Sequence, residues 1–223
     1  MPAPPDDLIH VHSVQEEYFY MMVHRCECGG PWTGQPPPGE AGPAASAANP
    51  GVDVRPVRCF TCAREHTFRF QLDTRAGPKD PVRQVNPTAE PSRALDAAEW
   101  LDLAQFYLDR IARLKAPTEK AQSLLDARQC LEEALKFYGP QDEEPPAAAL
   151  WSDASRRKAS RQASAYRRST ILAMLERIPP LDRLRKADSL EQKEFEKAVR
   201  LRARERVGRK WWQFWKLWQE KAG

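Results

Sequence analysis

From residue 66 to residue 73 the chain alternates in character. His66, Phe68, Phe70 and Leu72 share one parity, and Thr67, Arg69, Gln71 and Asp73 the other. A period of two sends each set to its own face of a pleated strand, so a half-buried strand is predicted here. Upstream, Val54, Pro56 and Val57 suggest the other arm of a hairpin. Near the N-terminus, Ser13-Val-Gln-Glu16 has capping-box spacing ahead of Glu17-Tyr-Phe-Tyr-Met-Met22. It predicts a short helix running into a strand at Val23. A strand over 18–23 is the alternative, because the same residues favour sheets.

Beyond residue 92 the period changes. Trp100, Leu103, Tyr107, Ile111 and Leu114 recur at steps of three and four, which predicts an amphipathic helix over about 93–114. Pro117-Thr118 interrupts it, and Thr118 is suited to cap the next helix. Leu124, Ala127, Leu131, Ala134 and Tyr138 form a second stripe, ended by Gly139-Pro140. Two such helices joined by a short turn make an antiparallel hairpin. A short helix carrying Trp151 is expected over 147–155. A longer one is expected through Tyr166, Ile171, Met174, Leu175 and Ile178, stopping at Pro179-Pro180. Residues 188–220 read as helical, with Glu196–Arg200 and Glu205–Arg209 as i,i+4 pairs and Gly208 as a hinge.

Proline divides the chain. Its 20 prolines cluster between the periodic segments. Residues 34–51, rich in Pro, Gly and Ala, have little to bury and read as a disordered excursion. The organisation expected is a small β module over 1–80 with 34–51 as an insertion, a linker over 81–92, a helical hairpin and bundle over 93–180, and a basic helix over 181–223. The fold class is α+β.

Four of the five cysteines fall in two tight pairs, Cys26-Glu-Cys28-Gly-Gly and Cys59-Phe-Thr-Cys62. Each pair places two sulfurs on one ion, and together they offer four thiolates to a tetrahedral Zn²⁺. Gly29 and Gly30 permit the left-handed turn by which the chain leaves the first pair. His24 and His66 lie close enough in sequence to substitute for a cysteine. A redox Cys-x-x-Cys normally opens a helix, whereas here a strand pattern follows Cys62. A catalytic zinc keeps an open position, which four cysteines do not leave. Iron suits the same four sulfurs. Cys130, inside a helical stripe, reads as a buried inert thiol.

These residues resemble a zinc ribbon, in which two knuckles on β-hairpins clamp one metal. The likeness covers roughly residues 22–73 and departs from the family in its Cys-x-Cys first knuckle. It implies a structural zinc held by Cys26, Cys28, Cys59 and Cys62. The helical hairpin resembles a tetratricopeptide unit through Trp100, Leu103, Ala104 and Tyr107 in its first helix and Ala127, Leu131, Ala134 and Pro140 in its second. That likeness implies protein–peptide binding. The helices are longer than the repeat and no second copy follows, so a generic helical hairpin is the stronger reading.

Charge adds an asymmetry. Residues 1–80 carry 7 Lys and Arg against 10 Asp and Glu, net −3; residues 81–150 carry 8 against 12, net −4; residues 151–223 carry 20 against 9, net +11. A basic last third favours an anionic partner or neutralises the acidic body. Ser155-Arg-Arg-Lys-Ala-Ser160-Arg-Gln-Ala-Ser164 reads as a solvated basic stretch that also suits a basophilic kinase. Lys210, Trp211, Trp212, Phe214, Trp215, Lys216 and Trp218 form an aromatic, cationic run near the C-terminus. Such a run docks into a partner's groove, lies on an anionic membrane surface, stacks on single-stranded nucleic acid, or folds back on its own chain.

Several classes are disfavoured. The chain has no Gly-rich phosphate loop, nucleophile elbow or His-Glu-x-x-His helix, and His10 and His12 have no evident third group, so no enzyme is expected. The first seven residues lack the basic and apolar regions of a secretory leader, and no run approaches the ~18–20 apolar residues of a membrane span. A reducing cytoplasm is the expected compartment, with peripheral membrane attachment through the tail as a variant. The leading expectation is a non-catalytic, zinc-binding adaptor for a protein partner; nucleic-acid binding and membrane association are the alternatives.

Overall fold

A computed structural model describes residues 8–34, 51–72 and 85–180. Its β-part is a four-stranded mixed sheet in the order β1-β4-β3-β2, built from β1 (Ile9–Val11), β2 (Trp32–Thr33), β3 (Val52–Cys59) and β4 (Glu65–Leu72). The hairpin expected from the alternation is present: β3 and β4 pair antiparallel, from Val52 opposite Gln71 to Arg58 opposite Glu65. Phe68 and Phe70 face the core, while Thr67 and Arg69 face solvent. Pro56 stands beyond the reach of β2, which pairs only with Arg58 and Cys59, so its missing N–H falls where an edge tolerates it. The outer strands went unpredicted. β1 runs parallel to β4 and β2 has two residues, too few for a period to register in sequence.

Helix α1 (Val14–Val23) follows β1. It forms in place of the alternative strand, and it continues through Val23, where a strand was expected to begin. Ser13 caps it, accepting a hydrogen bond from the Glu16 amide at 3.2 Å. The return half of the capping box differs: the Glu16 carboxylate accepts from the His12 amide at 2.5 Å. That reach turns the Glu16 side chain inward, where it is fully buried.

The helical part holds α2 (Ala97–Ile111), α3 (Pro117–Leu135), α4 (Asp153–Arg161) and α5 (Arg168–Arg177). α2 and α3 form the predicted hairpin. α2 starts four residues later than the apolar period suggests, because Asp96 and Glu99 close a full capping box that fixes its first turn. Thr118 does not cap α3: the helix begins at Pro117, whose fixed φ and absent N–H suit the first helical position, and Ala116 stands at the cap. Residues 147–155 do not make one helix. A 3-10 turn, Ala147–Ala149, ends at Leu150, and Ser152 caps α4 afresh. Trp151 falls between them, its amide donating to Asp96 at 3.0 Å. Tyr166 likewise belongs to a 3-10 turn (Ala163–Tyr166) ahead of α5.

Sequence left open whether the sheet and the helices make one core or two. Val11, Phe19, Val57, Phe68 and Phe70 join Trp100, Leu103, Tyr107, Leu131, Ile171 and Leu175 in a single buried cluster. Phe19 is the joint: its ring meets Trp100 edge-on at 5.6 Å and Tyr107 at 5.9 Å. On the next position of α1, Tyr20 packs edge-on against Phe70 at 5.7 Å and Phe68 at 5.9 Å. Residues 85–95 stitch the two parts. Ser13 donates to the Val85 carbonyl at 2.6 Å, and Lys136 on the turn after α3 donates to the Asn86 carbonyl at 3.0 Å. No described helix is long and apolar enough to cross a membrane. The excursion expected at 34–51 and the basic helix expected at 181–223 lie almost wholly or wholly outside the described residues.

Candidate metal centre

β3 ends on Cys59, and the turn to β4 carries Phe60, Thr61 and Cys62. The Ala63 amide closes this turn onto the Cys59 carbonyl at 3.0 Å, and the Cys59 amide donates to the Arg64 carbonyl at 2.8 Å. Ala63 pays for the tightness with a left-handed φ of 59°, unusual for a residue bearing a Cβ. The first pair sits on a second turn between α1 and β2. There the Gly29 amide donates to the Cys26 carbonyl at 2.7 Å, and the Cys26 amide to the Gly30 carbonyl at 3.2 Å.

Both glycines are required, for different reasons. Gly29 has φ +80°, the left-handed conformation expected of it. At Gly30 a Cβ would come within 2.5 Å of the Thr61 hydroxyl and 2.7 Å of the Cys59 sulfur, so only glycine lets the turns approach. Across that approach the Phe60 amide donates to the Pro31 carbonyl at 2.9 Å. Strand β2 holds the first turn in place: Trp32 donates to the His24 carbonyl at 2.7 Å and Thr33 to the Arg58 carbonyl at 2.9 Å.

The result brings all four cysteines together. Their Sγ atoms lie within 4.8 Å of one another, with Cys28 and Cys59 at 3.4 Å and Cys26 and Cys62 at 3.6 Å. A tetrahedron of Zn–S bonds of about 2.3 Å has edges of about 3.8 Å, so the set fits a tetrahedral thiolate-bound ion with little adjustment. Cys26 and Cys59 are buried, whereas Cys28 and Cys62 face solvent. The amides of Cys62 and Thr61 point at the Cys59 sulfur. The Cys62 amide above all, opposed by burial, brings that thiol down to about 6. Cys28 receives the Gly30 amide, yet sharing the site with the Cys62 and Cys59 sulfurs drives it up to about 12. Four sulfurs this close cannot all ionise without a cation among them, and a bound cation removes that conflict.

The histidines stand apart from the sulfurs. His24 lies 3.6 Å from Glu99 and 4.0 Å, ring to ring, from Tyr20. His66 stacks on Trp32 at 5.5 Å and meets Phe68 edge-on at 4.4 Å. Neither belongs to the cluster of possible ligands, which is Cys26, Cys28, Cys59 and Cys62. Cys130 is wholly buried, and burial pushes its thiol well above the ordinary value.

Phe60, between the two cysteines of the second turn, is 78% exposed, the most exposed of the large apolar side chains described. Its backbone is fixed while its ring is in water. Around it, Arg64 pairs with Glu27 across the turns, and Arg58 donates to the Ala63 carbonyl at 3.2 Å.

Sequence reasoning missed a set of carboxylates withdrawn from water, Glu17 and Glu133 buried and Glu99 half-buried. Glu17 is fully buried against Arg55 at 3.0 Å, and Arg55 also holds Asp53 at 2.6 Å. Burial raises Glu17, Glu99 and Glu133 each to about 7. Their only sequence signal is acidic residues placed on otherwise apolar helix faces. The basic stretch 155–164 lies on α4 and the 3-10 turn after it, where Arg156 pairs with Asp153 at 2.6 Å and Lys158 with Asp102. Ser160 and Ser164 are exposed; Ser155 is buried. Lys210, Trp211, Trp212, Phe214, Trp215, Lys216 and Trp218 lie outside the described residues. The chain matches no protein-family model, no curated protein and no solved structure.

Proposed function

We propose that this protein is a non-catalytic, cytoplasmic adaptor whose β-part is a zinc-ribbon-like module, stabilised by one structural Zn²⁺ and engaged with a protein partner. The observation that carries the reading is the four-sulfur cluster with Phe60 on its rim. Four thiolates complete the shell of a tetrahedral ion and leave no position for a substrate or an activated water, which favours a structural over a catalytic role. A structural ion fixes the two turns, and a fixed turn presents Phe60 at small entropic cost, the property of an interface anchor. The aromatic, basic run 209–218 would supply a second contact, with Trp211, Trp215 and Trp218 spaced for a groove. The helical hairpin serves as the body that holds both.

The reading is tested by affinity capture with the full chain, a Phe60→Ala variant and a chain ending at residue 207, each checked for zinc content and circular dichroism. A partner retained by the full chain and lost from either variant, with metal and helicity unchanged, supports it. Capture that is identical for all three contradicts it. Binding that transfers to DNA, RNA or anionic vesicles and falls steeply with salt would replace the protein partner with an anionic one.

A further inference from the structure

We propose that oxidant discharges the metal from the four-thiol centre and leaves two disulfides running between the turns, Cys28–Cys59 and Cys26–Cys62, rather than one within each turn. This rests on the reading that the centre holds zinc. Its own basis is the pairing of the sulfurs. Two sulfur pairs meet at hydrogen-bonding distance and angle, 3.4 Å and 3.6 Å apart, and both cross from one turn to the other. Each crossing pair also joins a solvent-facing cysteine to a buried one: Cys28 with Cys59, Cys62 with Cys26. An oxidant in water therefore reaches one member of each pair, and the resolving thiolate lies behind it.

The backbone keeps that arrangement when the ion leaves. The Phe60–Pro31 hydrogen bond, the Trp32–Cys59 strand pairing and the Arg64–Glu27 ion pair all span the two turns without metal. Closing each pair to an S–S bond of about 2.05 Å requires a movement of about 1.5 Å, within reach of side-chain rotation. Cys26 and Cys28, separated by one residue, would close a tighter ring than either crossing pair does.

With hydrogen peroxide as oxidant, the Cys28 thiolate attacks one peroxide oxygen; the O–O bond breaks, giving a sulfenic acid and hydroxide. The Cys59 thiolate then attacks the Cys28 sulfur, the S–O bond breaks and a second hydroxide leaves. Cys62 and Cys26 repeat the sequence. Four thiolates give four electrons to two peroxides, the four hydroxides take protons from the buffer acid to become water, and Zn²⁺ departs with its charge unchanged. The disulfides then tie the turns in place of the metal, so the sheet outlasts the discharge.

The test uses the full chain, reduced and assayed for zinc before oxidant. Peroxide is added, zinc release is followed with a chromogenic chelator, free thiols are blocked, and the protein is cut after Glu27, after Glu40 and after Phe60 so that the four cysteines fall on four peptides. The proposal predicts loss of four thiols with zinc release, cross-links joining Cys28 to Cys59 and Cys26 to Cys62, an unchanged far-ultraviolet spectrum, a reduced Cys130 as internal control, and renewed zinc uptake after reduction. In Cys28→Ser only the Cys26–Cys62 link should form. A Cys59–Cys62 link, sulfinic acid at these cysteines, or loss of the sheet signal overturns it. Absence of zinc before oxidant would overturn the metal reading instead, while the peptide map would still decide the pairing.

Discussion

Gly30 shows how closely the candidate site depends on single atoms. The Thr61 hydroxyl and the Cys59 sulfur occupy the space a Cβ would need. Gly30→Ala is therefore expected to separate the two turns and cut metal affinity at least tenfold, measured by competition with a chelator. Affinity equal to the parent would show that the turns do not approach as described. Phe60 is the opposite case. Its ring touches water, so Phe60→Ala should change stability by less than about 0.5 kcal/mol in denaturant unfolding while removing the proposed contact. A larger loss would mean that the ring is packed. Asp96 carries two burdens in one carboxylate, accepting from the Glu99 amide at 2.9 Å to cap α2 and from the Trp151 amide at 3.0 Å. Asp96→Ala removes a cap worth about 1 kcal/mol and strands a part-buried N–H for about 1–3 kcal/mol more, so a loss of roughly 2–4 kcal/mol is expected. A loss below 1 kcal/mol in urea unfolding would show that the Trp151 tie is not made.

Elements long enough to repeat their period were legible in the sequence. β3 and β4, α2 and α3, and the four clustered cysteines all follow from residue spacing. What escaped was set by contacts remote in sequence. β1 and β2 are three and two residues long and exist because β4 and β3 offer them edges. The apolar period starts α2 near residue 93, whereas the side chains of Asp96 and Glu99 set its start at Ala97. Thr118 suits a helix cap, but Pro117 opens α3 and leaves Ala116 at the cap. Glu16 was read as the outer half of a capping box, yet its carboxylate turns in to the His12 amide. The buried carboxylates were illegible for the same reason: Glu17 lies on α1, Glu99 on α2 and Glu133 on α3, and only the packing of these helices takes them out of water. Phe19 tests that packing at the level of elements, since it joins α1 to both Trp100 and Tyr107. Truncating a buried aromatic ring costs about 3–5 kcal/mol, so Phe19→Ala should destabilise sheet and helices together in one thermal transition. Two separated transitions would mean that the parts do not share a core.

Across the whole molecule, acid and metal act in opposite directions. Glu17, Glu99 and Glu133 are each raised by burial from an ordinary 4.5 to about 7. The folded chain thus holds protons that the unfolded chain releases. The stability they contribute is complete below about 4.5 and is lost as pH rises through about 7. Glu99→Gln keeps an acceptor for the Asp96 amide but no longer titrates. Between about pH 6 and pH 8, the wild-type Tm should fall more steeply than that of the variant; parallel profiles would contradict the burial of Glu99. The sulfurs respond in the other sense, since protonation in acid releases a thiolate-bound ion. Four sulfurs placed to hold a metal, an exposed aromatic on their rim and a core shared by sheet and helices make the four-thiol centre the key to the account. The most direct test is metal content of the purified, reduced chain by inductively coupled plasma mass spectrometry, beside a variant with Cys26→Ser and Cys28→Ser. One zinc per chain in the parent and none in the variant is the predicted result. A metal-free parent, or the same zinc content in both, would contradict the account.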